Sequence, residues 1–403
     1  MATDRAVQAL EDESMSTEAC RPLVVDADGH VCEPPDLWER TLPATMRGRG
    51  PRVHWSAPDG CEQVLVEDGI GIPRGLPGLC NAGTGNFNFG DTTRYVDGHR
   101  GGFDARERLA VMDAEGIDVA VVYCGLGQCL GGIRDRELAV ACHQVWNDWI
   151  ADWVSVAPDR LVGTAVLPAQ DPQAAAAEVH RIARMGLRAG VIRPNPVLGK
   201  TLWDPAFDPM YAALAEHGIP LGLHGAGMWD LEGTCKRMVD LMAPGTQHAL
   251  ILFFDQYLTL SNLVYAGVLE RHPGLKVAVL ESGGGWIAHW MDRLDEFLSA
   301  YSWATAPLSL KPSEYFRRQC VISFDPGERS MGAMMQLAGA ENVIWASDFP
   351  HSDAKYPGVV EELREHTAEL TDAEKAALYG GNALRLYGIE PSAAVRARAL
   401  SCG

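Results

Sequence analysis

Eight short β-rich runs, each separated from the next by a segment of helical character, constrain the fold of this chain more than any other feature of its sequence. Most of the runs are continuously apolar rather than alternating, which is typical of parallel strands that are covered on both faces. They span residues 23–30, 117–125, 161–170, 187–196, 219–227, 275–286, 320–326 and 342–353.

The segments between the runs carry the start and stop signals of helices. The stretch ARERLAVMDAEG ends at Gly116, a suitable C-cap, and both DPQAAAAEVHRIARMG and DPAFDPMYAALAEHG open with Asp-Pro and close with Gly. Eight strand–helix alternations predict an α/β fold, a (β/α)8 TIM barrel. A doubly wound sheet could be drawn from the same alternation, but the count of eight favours the barrel.

The chain divides into one large domain with short extensions. We expect residues 1–22 to be a disordered lead-in, 23–390 to form the barrel and 391–403 to be a C-terminal tail. Residues 48–103 form a long insertion after the first strand, rich in glycine and aromatic residues. Because loops of this length are more often functional or disordered than inert, we predict a lid, with a flexible surface loop as the alternative.

Composition and charge exclude several classes of partner. The formal net charge of −19 argues against nucleic acid, which binds basic patches, and against an anionic membrane surface. No apolar run reaches the roughly 18 residues of a transmembrane helix. The ten cysteines include no CxxC pair, so reduced thiols in a cytoplasmic protein are the simplest interpretation. We expect a small-molecule substrate.

Polar side chains follow the predicted strands at the points where the strands end. In a barrel these carboxyl ends form one rim, where barrel enzymes build their active sites. Each residue also has a structural interpretation, since strand-to-helix loops need helix N-caps and turn formers. The rim residues are Asp28, His30, Arg193, His224, Glu281, Asp325 and Asp348.

The first strand, VVDADGHV, is the most unusual of the eight. Asp26, Asp28 and His30 would share one side of an extended chain, because side chains alternate with a period of two. Two carboxylates and an imidazole at the end of an apolar run would be costly to bury without partners. We interpret Asp28 and His30 as paired metal ligands and Asp26 as a supporting residue further down the same face.

His224 and Asp348 complete the predicted ligand set. Each ends an apolar strand at the rim, although a core histidine and a helix N-cap are the structural alternatives. Two imidazoles and one or two carboxylates suit Zn²⁺, Mn²⁺ or Fe²⁺, and ligand type alone does not choose among these ions. The fourth strand offers Arg193 but no lysine to bridge a second ion, so we expect one divalent metal ion, with zinc first.

Other residues are candidates for contacts with a substrate. Arg193 could pair with a substrate carboxylate or with a neighbouring acid at the rim. Trp286 could line the site or simply pack. In the insertion, Phe89 and Arg94 are the candidates. His351, three residues after Asp348, suits an acid–base partner or a loop-stabilising hydrogen bond.

Six segments together resemble the amidohydrolase superfamily, in particular its metal-dependent group of aminocarboxymuconate-semialdehyde and dihydroxybenzoate decarboxylases. The resemblance runs from about residue 23 to Gly388. It is carried by DADGHVCEPPDLW, RLAVMDAEGIDVAVVY, IPLGLH, ERHPGLKVAVLESGGGWI, VIWASDFPHSD and GNALRLYGI. Relatives of this group are commonly dimeric, so the resemblance also implies a homodimer.

The resemblance assigns the ligand positions residue by residue. The strand-1 motif, His-x-His or Glu-x-His, falls on Asp28 and His30, the strand-5 histidine on His224 and the strand-8 aspartate on Asp348. The family often places a catalytic histidine after strand 6, where this chain has Glu281. The glycines at 283, 284 and 285 suggest room for a substrate beside that carboxylate.

Three functions fit this sequence. The first is a non-oxidative decarboxylase of a small carboxylated aromatic or a keto or enol acid, with Asp348 or Glu281 delivering a proton. The second is a metal-dependent hydrolase of a C–N or C–C bond, or a hydratase or dehydratase, with Asp348 taking a proton from a water molecule. The third is a catalytically silent barrel that binds a ligand.

Overall fold

A computed structural model describes residues 21–72, 75–84, 93–225 and 244–401 of the chain. Twelve strands lie within these ranges. They are β1 (Val25–His30), β2 (Arg52–Ser56), β3 (Cys61–Val66), β4 (Gly69–Ile72), β5 (Val119–Tyr123), β6 (Leu161–Gly163), β7 (Ala165–Val166), β8 (Gly190–Ile192), β9 (Leu221–His224), β10 (Val277–Leu280), β11 (Cys320–Phe324) and β12 (Val343–Trp345).

Fifteen α-helices lie within the same ranges, most of them between the strands. They are α1 (Leu37–Thr41), α2 (Arg100–Phe103), α3 (Ala105–Glu115), α4 (Arg136–Val154), α5 (Pro172–Met185), α6 (Asp208–His217), α7 (Pro244–Tyr265), α8 (Val268–Arg271), α9 (Ile287–Tyr301), α10 (Pro312–Gln319), α11 (Met331–Ala338), α12 (Val359–His366), α13 (Asp372–Ala376), α14 (Asn382–Tyr387) and α15 (Ala393–Ser401). In the described residues, no helix is both long and apolar enough to span a bilayer.

The parallel strands follow one another in the order of the sequence. β1, β5 and β6 pair side by side, and β7 to β12 pair in order. β6 and β7 are one strand interrupted at Thr164. The Thr164 N–H donates to the Val122 carbonyl on one side, and the Ala165 N–H donates to the Ala189 carbonyl on the other. Backbone bonds from His30 N to Phe349 O (2.7 Å) and from Asp348 N to Asp28 O (3.1 Å) join the first strand to the segment after the last. This is the order of a (β/α)8 barrel, as predicted, and it excludes the doubly wound sheet.

Local signals in the sequence account for the helix boundaries. The Asp171 side chain accepts the N–H groups of Gln173 and Ala174 at the start of α5, and Pro172 occupies the first turn. Gly116 and Gly186 end α3 and α5 in the left-handed conformation, with φ of 76° and 81°. The predicted Gly116 C-cap is therefore confirmed.

The barrel strands are shorter than the apolar runs. β10 ends at Leu280 and β12 at Trp345, whereas the runs extend to residues 286 and 353. The next polar residues leave the extended conformation, since Glu281 has a φ of 50° and Asp348 a φ of 56°. Polar residues of the last runs therefore lie in loops that curve over the rim.

A bulge in β1 changes the expected alternation of its side chains. Val25 and Ala27 belong to the interior cluster of the barrel, together with Val119 and Tyr123, so Asp26 between them points outward. The pairing register with β5 shifts between Asp26 and Gly29, which returns Asp28 and His30 to the inside. The prediction that all three share one face is therefore wrong for Asp26.

The insertion has secondary structure of its own in the residues described. β2, β3 and β4 form a three-stranded antiparallel sheet. Arg94 lies against this sheet, with Nε 2.5 Å from a carboxylate oxygen of Glu62 and the guanidinium over the Trp55 ring. Phe89, the other candidate from this segment, lies outside the described residues.

The closure of the barrel is reinforced by one buried arginine. Arg108 of α3 donates to the main-chain carbonyls of His30, Gly101 and Phe349, and its guanidinium lies over the Phe349 ring. Its carbonyl partners lie in the first strand, in the segment before α3 and in the segment after the last strand. Burial lowers the pKa of Arg108 to about 10, and the nearby Asp26 carboxylate opposes that effect. Arg108 therefore stays charged and ties the two ends of the barrel together.

We predict that Arg108→Met lowers the free energy of unfolding by on the order of 3 kcal/mol, because buried carbonyls would lose a charged donor and Asp26 a countercharge. Urea denaturation of protein treated with a chelator measures this. Arg106→Met, an exposed position on the same helix, is the matched control. A change within about 0.5 kcal/mol at Arg108, which is ordinary for a surface site, would contradict its role.

Candidate metal centre

Two histidines and two carboxylates meet at the rim: Asp28 and His30 lie in β1 and His224 in β9, while Asp348 lies in the loop after β12. The Nε2 atoms of His30 and His224 are 3.2 Å apart. Asp28 approaches both imidazoles, with carboxylate oxygens 3.6 Å from His30 Nε2 and 3.5 Å from His224 Nε2. Asp348 Oδ1 lies 3.2 Å from His30 Nε2. Asp28, His30 and His224 thus form one cluster of possible ligand atoms, and Asp348 and His351 form a second cluster with the same His30.

Both imidazoles are oriented by main-chain carbonyls. His30 Nδ1 is 2.9 Å from the Cys124 carbonyl oxygen, and His224 Nδ1 is 2.6 Å from that of Gly225. A carbonyl can only accept, so each Nδ1 carries the proton. In the neutral ring, each Nε2 then directs its lone pair at the shared space, which is the arrangement of metal-bound histidines.

The separations fit a single ion. Two ligand atoms about 2.1 Å from one ion lie about 3.0 Å apart at a right angle and about 3.4 Å apart at the tetrahedral angle. The three contacts among Asp28, His30 and His224, of 3.2 to 3.6 Å, and the contact of 3.2 Å from Asp348 to His30 lie in or close to that range. Asp28 Oδ1 is also buried, with no hydrogen-bond partner among the described residues. A divalent cation would satisfy this oxygen and separate the two facing lone pairs.

The electrostatics of the cluster favour positive charge. Burial, with the carboxylates of Glu281, Asp353 and Asp28, raises the pKa of Asp348 well above its ordinary value. Burial alone would lower the pKa of His224, but the carboxylates of Asp28 and Glu281 outweigh it and raise the pKa to about 9. The site therefore holds protons where it has no cation.

His30 behaves in the opposite way. Burial lowers its pKa well below the ordinary value, and the neighbouring imidazoles of His351 and His224 lower it further. A neutral imidazole is the form that binds a metal ion. His30 is therefore ready to bind at neutral pH, whereas His224 must first lose a proton.

Glu281 completes the cluster from the end of β10. Its Oε2 is 3.4 Å from His224 Nε2, and it lines an open pocket of about 330 Å³ with Asp325, Asp348, Asp353 and Lys355. Glu281 and Asp348 both have positive φ values, which are uncommon outside glycine and concentrate at functional sites.

The glycines after Glu281 serve packing as well as access. A Cβ at Gly284 would come within about 2.0 Å of the Phe324 ring, and one at Gly285 within 2.8 Å of Ser330. Gly283, which lines the pocket, has a φ of 63°. The expectation of open space thus holds for Gly283, while Gly284 and Gly285 allow the loop to lie against its neighbours.

His351 lies against two members of the cluster. Its Nδ1 is 2.8 Å from Asp348 Oδ1, and its ring stacks on His30 with centroids 4.0 Å apart. His351 is buried, so it can exchange a proton with Asp348 inside the site.

The remaining candidates lie at different distances from this centre. Arg193 ends β8, is almost fully buried and lines a small cavity together with His224. Burial lowers its pKa to about 10, and the charge of Asp255 opposes the shift. Trp286 packs against the rings of Phe253 and Tyr257 on α7.

The sequence did not reveal two buried charged residues that support the site. Arg108 holds the main chain of His30, as described above. Glu33 accepts hydrogen bonds from the loop that follows β5. Both lie within segments that carry the family resemblance, but only the position of their partners in space reveals what they do.

Asp26 supports the centre from outside the barrel. Its carboxylate accepts the main-chain N–H of Ser347 at 2.9 Å and the Ser347 hydroxyl at 2.6 Å. Ser347 directly precedes Asp348, so these two hydrogen bonds help to fix the position of the Asp348 carboxylate. The contacts of Asp26 thus fit the supporting role predicted for it. They lie on the outer face of the strand, whereas the prediction placed them on the same face as Asp28 and His30.

We predict that His224→Ala removes most of the metal affinity while the barrel stays folded, because the side chain ends its strand at the rim and contributes mainly polar contacts. Elemental analysis and circular dichroism measure the two effects. Total unfolding would show that His224 is a structural residue.

We also predict that metal affinity increases with pH. Below its pKa of about 9, the deprotonated fraction of His224 falls tenfold per pH unit, and the ion must displace that proton. Affinity for Mn²⁺ should therefore rise about tenfold per unit from pH 7 to 8.5 and level off above pH 9. Anaerobic calorimetry in buffers of different ionisation enthalpy would show release of at least one proton per ion at pH 7. Affinity that does not change with pH would refute this assignment.

Comparisons with known proteins identify relatives of this chain and similar folds. The chain is 29% identical over 293 residues to the 2-amino-3-carboxymuconate-6-semialdehyde decarboxylase of Dictyostelium discoideum, covering 72% of this chain and 78% of that protein. The fold matches an amidohydrolase from Mycobacterium avium subsp. paratuberculosis with a TM-score of 0.76, at 22% identity, over 92% of this chain and all of the other.

A second solved structure is that of 5-carboxyvanillate decarboxylase from Novosphingobium aromaticivorans, complexed with manganese and 4-hydroxy-3-methoxy-5-nitrobenzoic acid. It matches with a TM-score of 0.67 at 21% identity, over 92% of this chain and 97% of the other. The family model described as amidohydrolase matches residues 25–389, which include every residue of the centre. The chain therefore belongs to the amidohydrolase family.

Proposed function

We propose that this protein is a metal-dependent, non-oxidative decarboxylase of a small carboxylated aromatic acid or a keto or enol acid. The observation that carries the proposal is the cluster of Asp28, His30 and His224, with Asp348 3.2 Å from the same His30 and Glu281 3.4 Å from His224. Two of the similar proteins named above are decarboxylases of carboxylated substrates, which supports this reaction for the present chain.

Asp28, His30, His224 and Asp348 would hold one divalent ion. Such an ion would act as a Lewis acid that fixes the substrate's oxygens and stabilises negative charge as the C–C bond breaks. The two carboxylates favour a hard ion, and manganese is present in the similar decarboxylase. We therefore propose manganese ahead of the zinc that we expect first from the sequence.

Arg193 and Trp286 are the proposed contacts of the substrate. Arg193 lines both the small cavity beside His224 and the larger pocket under the β3–β4 hairpin, and its guanidinium can pair with a carboxylate through two parallel hydrogen bonds. Trp286 offers an aromatic face and an indole N–H for which the part of the chain that the structure describes provides no acceptor. Both would orient a flat acid before the reaction.

Glu281 is the proposed proton donor. As CO2 leaves, the electron pair of the broken C–C bond stays on the ring or enol carbon, and a proton must be delivered to that carbon. A protonated Glu281 carboxyl at the pocket wall could deliver it and become a carboxylate. Asp348 is the alternative donor, because its raised pKa and its contact with His351 Nδ1 would let it hold a proton.

The insertion is proposed to cover the site. Its β3–β4 hairpin, with Glu67, Asp68 and Ile70, lines a pocket of about 350 Å³ that reaches Arg193. This pocket would admit the part of a substrate remote from the metal. A substrate role of Phe89 and Arg94, a homodimer and a cytoplasmic location remain predictions.

The proposal is tested by incubating Mn²⁺-loaded protein with hydroxylated aromatic carboxylic acids and with keto and enol acids, and by measuring CO2 and the decarboxylated product. Activity should disappear with a chelator and return with Mn²⁺. Products of C–N or C–C hydrolysis, or of hydration, would support the second function instead. Metal binding without turnover of any substrate would support the silent barrel.

We predict that Glu281→Gln keeps its metal but loses kcat by roughly 10²–10⁴-fold, the usual contribution of a general acid, with KM little changed. Steady-state kinetics and metal analysis on the same sample measure this. Glu178→Gln, at a buried carboxylate in the helix layer, is the control and should leave kcat unchanged. Loss of metal with a normal kcat per bound ion would show that Glu281 orients a ligand instead.

A further inference from the structure

Glu33 is a fully buried carboxylate that the proposed reaction does not use. Its Oε1 accepts the N–H groups of Gly125 at 3.1 Å and Gly127 at 3.0 Å, and the indole N–H of Trp146 at 2.6 Å. Its Oε2 accepts the N–H of Leu126 at 2.6 Å. These four donors stabilise the ionised carboxylate and oppose burial, which raises the pKa of Glu33.

These bonds fix the loop that follows β5. The N–H groups that Glu33 accepts belong to three consecutive residues, so the carboxylate sets the orientation of each peptide from 124 to 127. The carbonyl of the first peptide, on Cys124, is the one that accepts the His30 Nδ1–H at 2.9 Å. Glu33 and His30 are therefore connected through one peptide group.

The loop has little freedom to adjust if these bonds are lost. A Cβ at Gly125 would lie 2.4 Å from the Val31 carbonyl and 3.1 Å from Glu33 itself. One at Gly127 would lie 2.7 Å from the Cβ of Cys124. The Val31 N–H donates to the Tyr123 carbonyl at 3.0 Å, so strand, loop and carboxylate form one closely packed unit.

We infer that Glu33 is a positioning residue for the metal centre, which holds the Cys124 carbonyl against His30 Nδ1 and so keeps the His30 Nε2 lone pair directed at the ion. The inference rests on the metal site of the proposed function but not on the reaction. A residue that orients a metal-bound histidine through one intermediate group is usually worth 10- to 100-fold in metal affinity.

The chain offers a close pair of variants for the test. Glu33→Gln preserves shape but replaces one acceptor oxygen by an NH2 group, which would face the Leu126 N–H or the donors on the other side. Glu178→Gln makes the same change at a carboxylate that is equally buried and accepts the side chains of Asn147 and Arg181 in the helix layer. Trp146→Phe removes only one of the four donors to Glu33 and keeps an aromatic ring.

Two measurements separate positioning from general support. The first is the Kd for Mn²⁺ alone, by competition with a chelator, in variants whose circular dichroism matches the wild type. We expect the Kd to increase 10- to 100-fold in Glu33→Gln, to increase less in Trp146→Phe and to stay unchanged in Glu178→Gln.

The second measurement is ¹⁵N NMR of histidine-labelled protein after chelation. The fraction of the Nδ1–H tautomer of His30 should fall in Glu33→Gln only.

The outcomes distinguish this inference from the proposed function. A wild-type Kd in folded Glu33→Gln, or an unchanged His30 tautomer, overturns the inference and leaves the decarboxylase proposal intact. Weakened binding and an altered tautomer in a protein that decarboxylates nothing uphold the inference and reject the function. If Glu33→Gln does not fold, Trp146→Phe decides, and an unchanged Kd and tautomer there overturn the inference. Wild-type protein that binds no Mn²⁺ overturns both proposals.

Discussion

The junction between the first strand and the segment after the last strand is the constraint on which the rest of the structure depends. Main-chain bonds between His30 and Phe349 and between Asp28 and Asp348 close the barrel there. The same four residues include three of the proposed ligands. The bonds that close the barrel therefore also assemble the metal centre. If the first strand moved away from the segment after the last strand, Asp28 and His30 would separate from Asp348.

Buried charges hold this junction on its outer side. Asp26 fixes Ser347, and Arg108 binds the carbonyls of His30 and Phe349. Charged partners are needed here because the inner side carries like charges: Asp28, Glu281 and Asp348 would repel one another without a cation. Burial, together with these charges, raises the pKa of Asp348, and the carboxylates of Asp28 and Glu281 raise the pKa of His224 against the effect of burial. The like charges at the rim lower the stability of the fold but provide a strong cation site. Packing elsewhere in the barrel compensates for this loss of stability.

Much of the architecture could be predicted from the sequence because its signals are local. A continuously apolar run, an Asp-Pro start or a glycine C-cap reports on its own neighbourhood, and eight repetitions limit the topology to a barrel. The ends of the strands then placed Asp28, His30, His224 and Asp348 at one rim, since parallel strands deliver their carboxyl ends to the same side. The presence of a candidate metal site at the carboxyl ends of the strands could therefore be predicted without knowing any interatomic distance.

What the sequence determined by itself was therefore the order of the strands, the class of fold and the residues that meet at the rim. Only the tertiary structure decided how those residues are held. The bulge that turns Asp26 outward depends on pairing with β5, and a period-two pattern cannot reveal it. Glu33 finds its donors more than 90 positions away, and Arg108 acts on a carbonyl 241 positions away. Hydrogen bonds across such separations leave no periodic trace in the chain, because they depend on where the closed barrel places a main-chain group and not on the residue type that carries it.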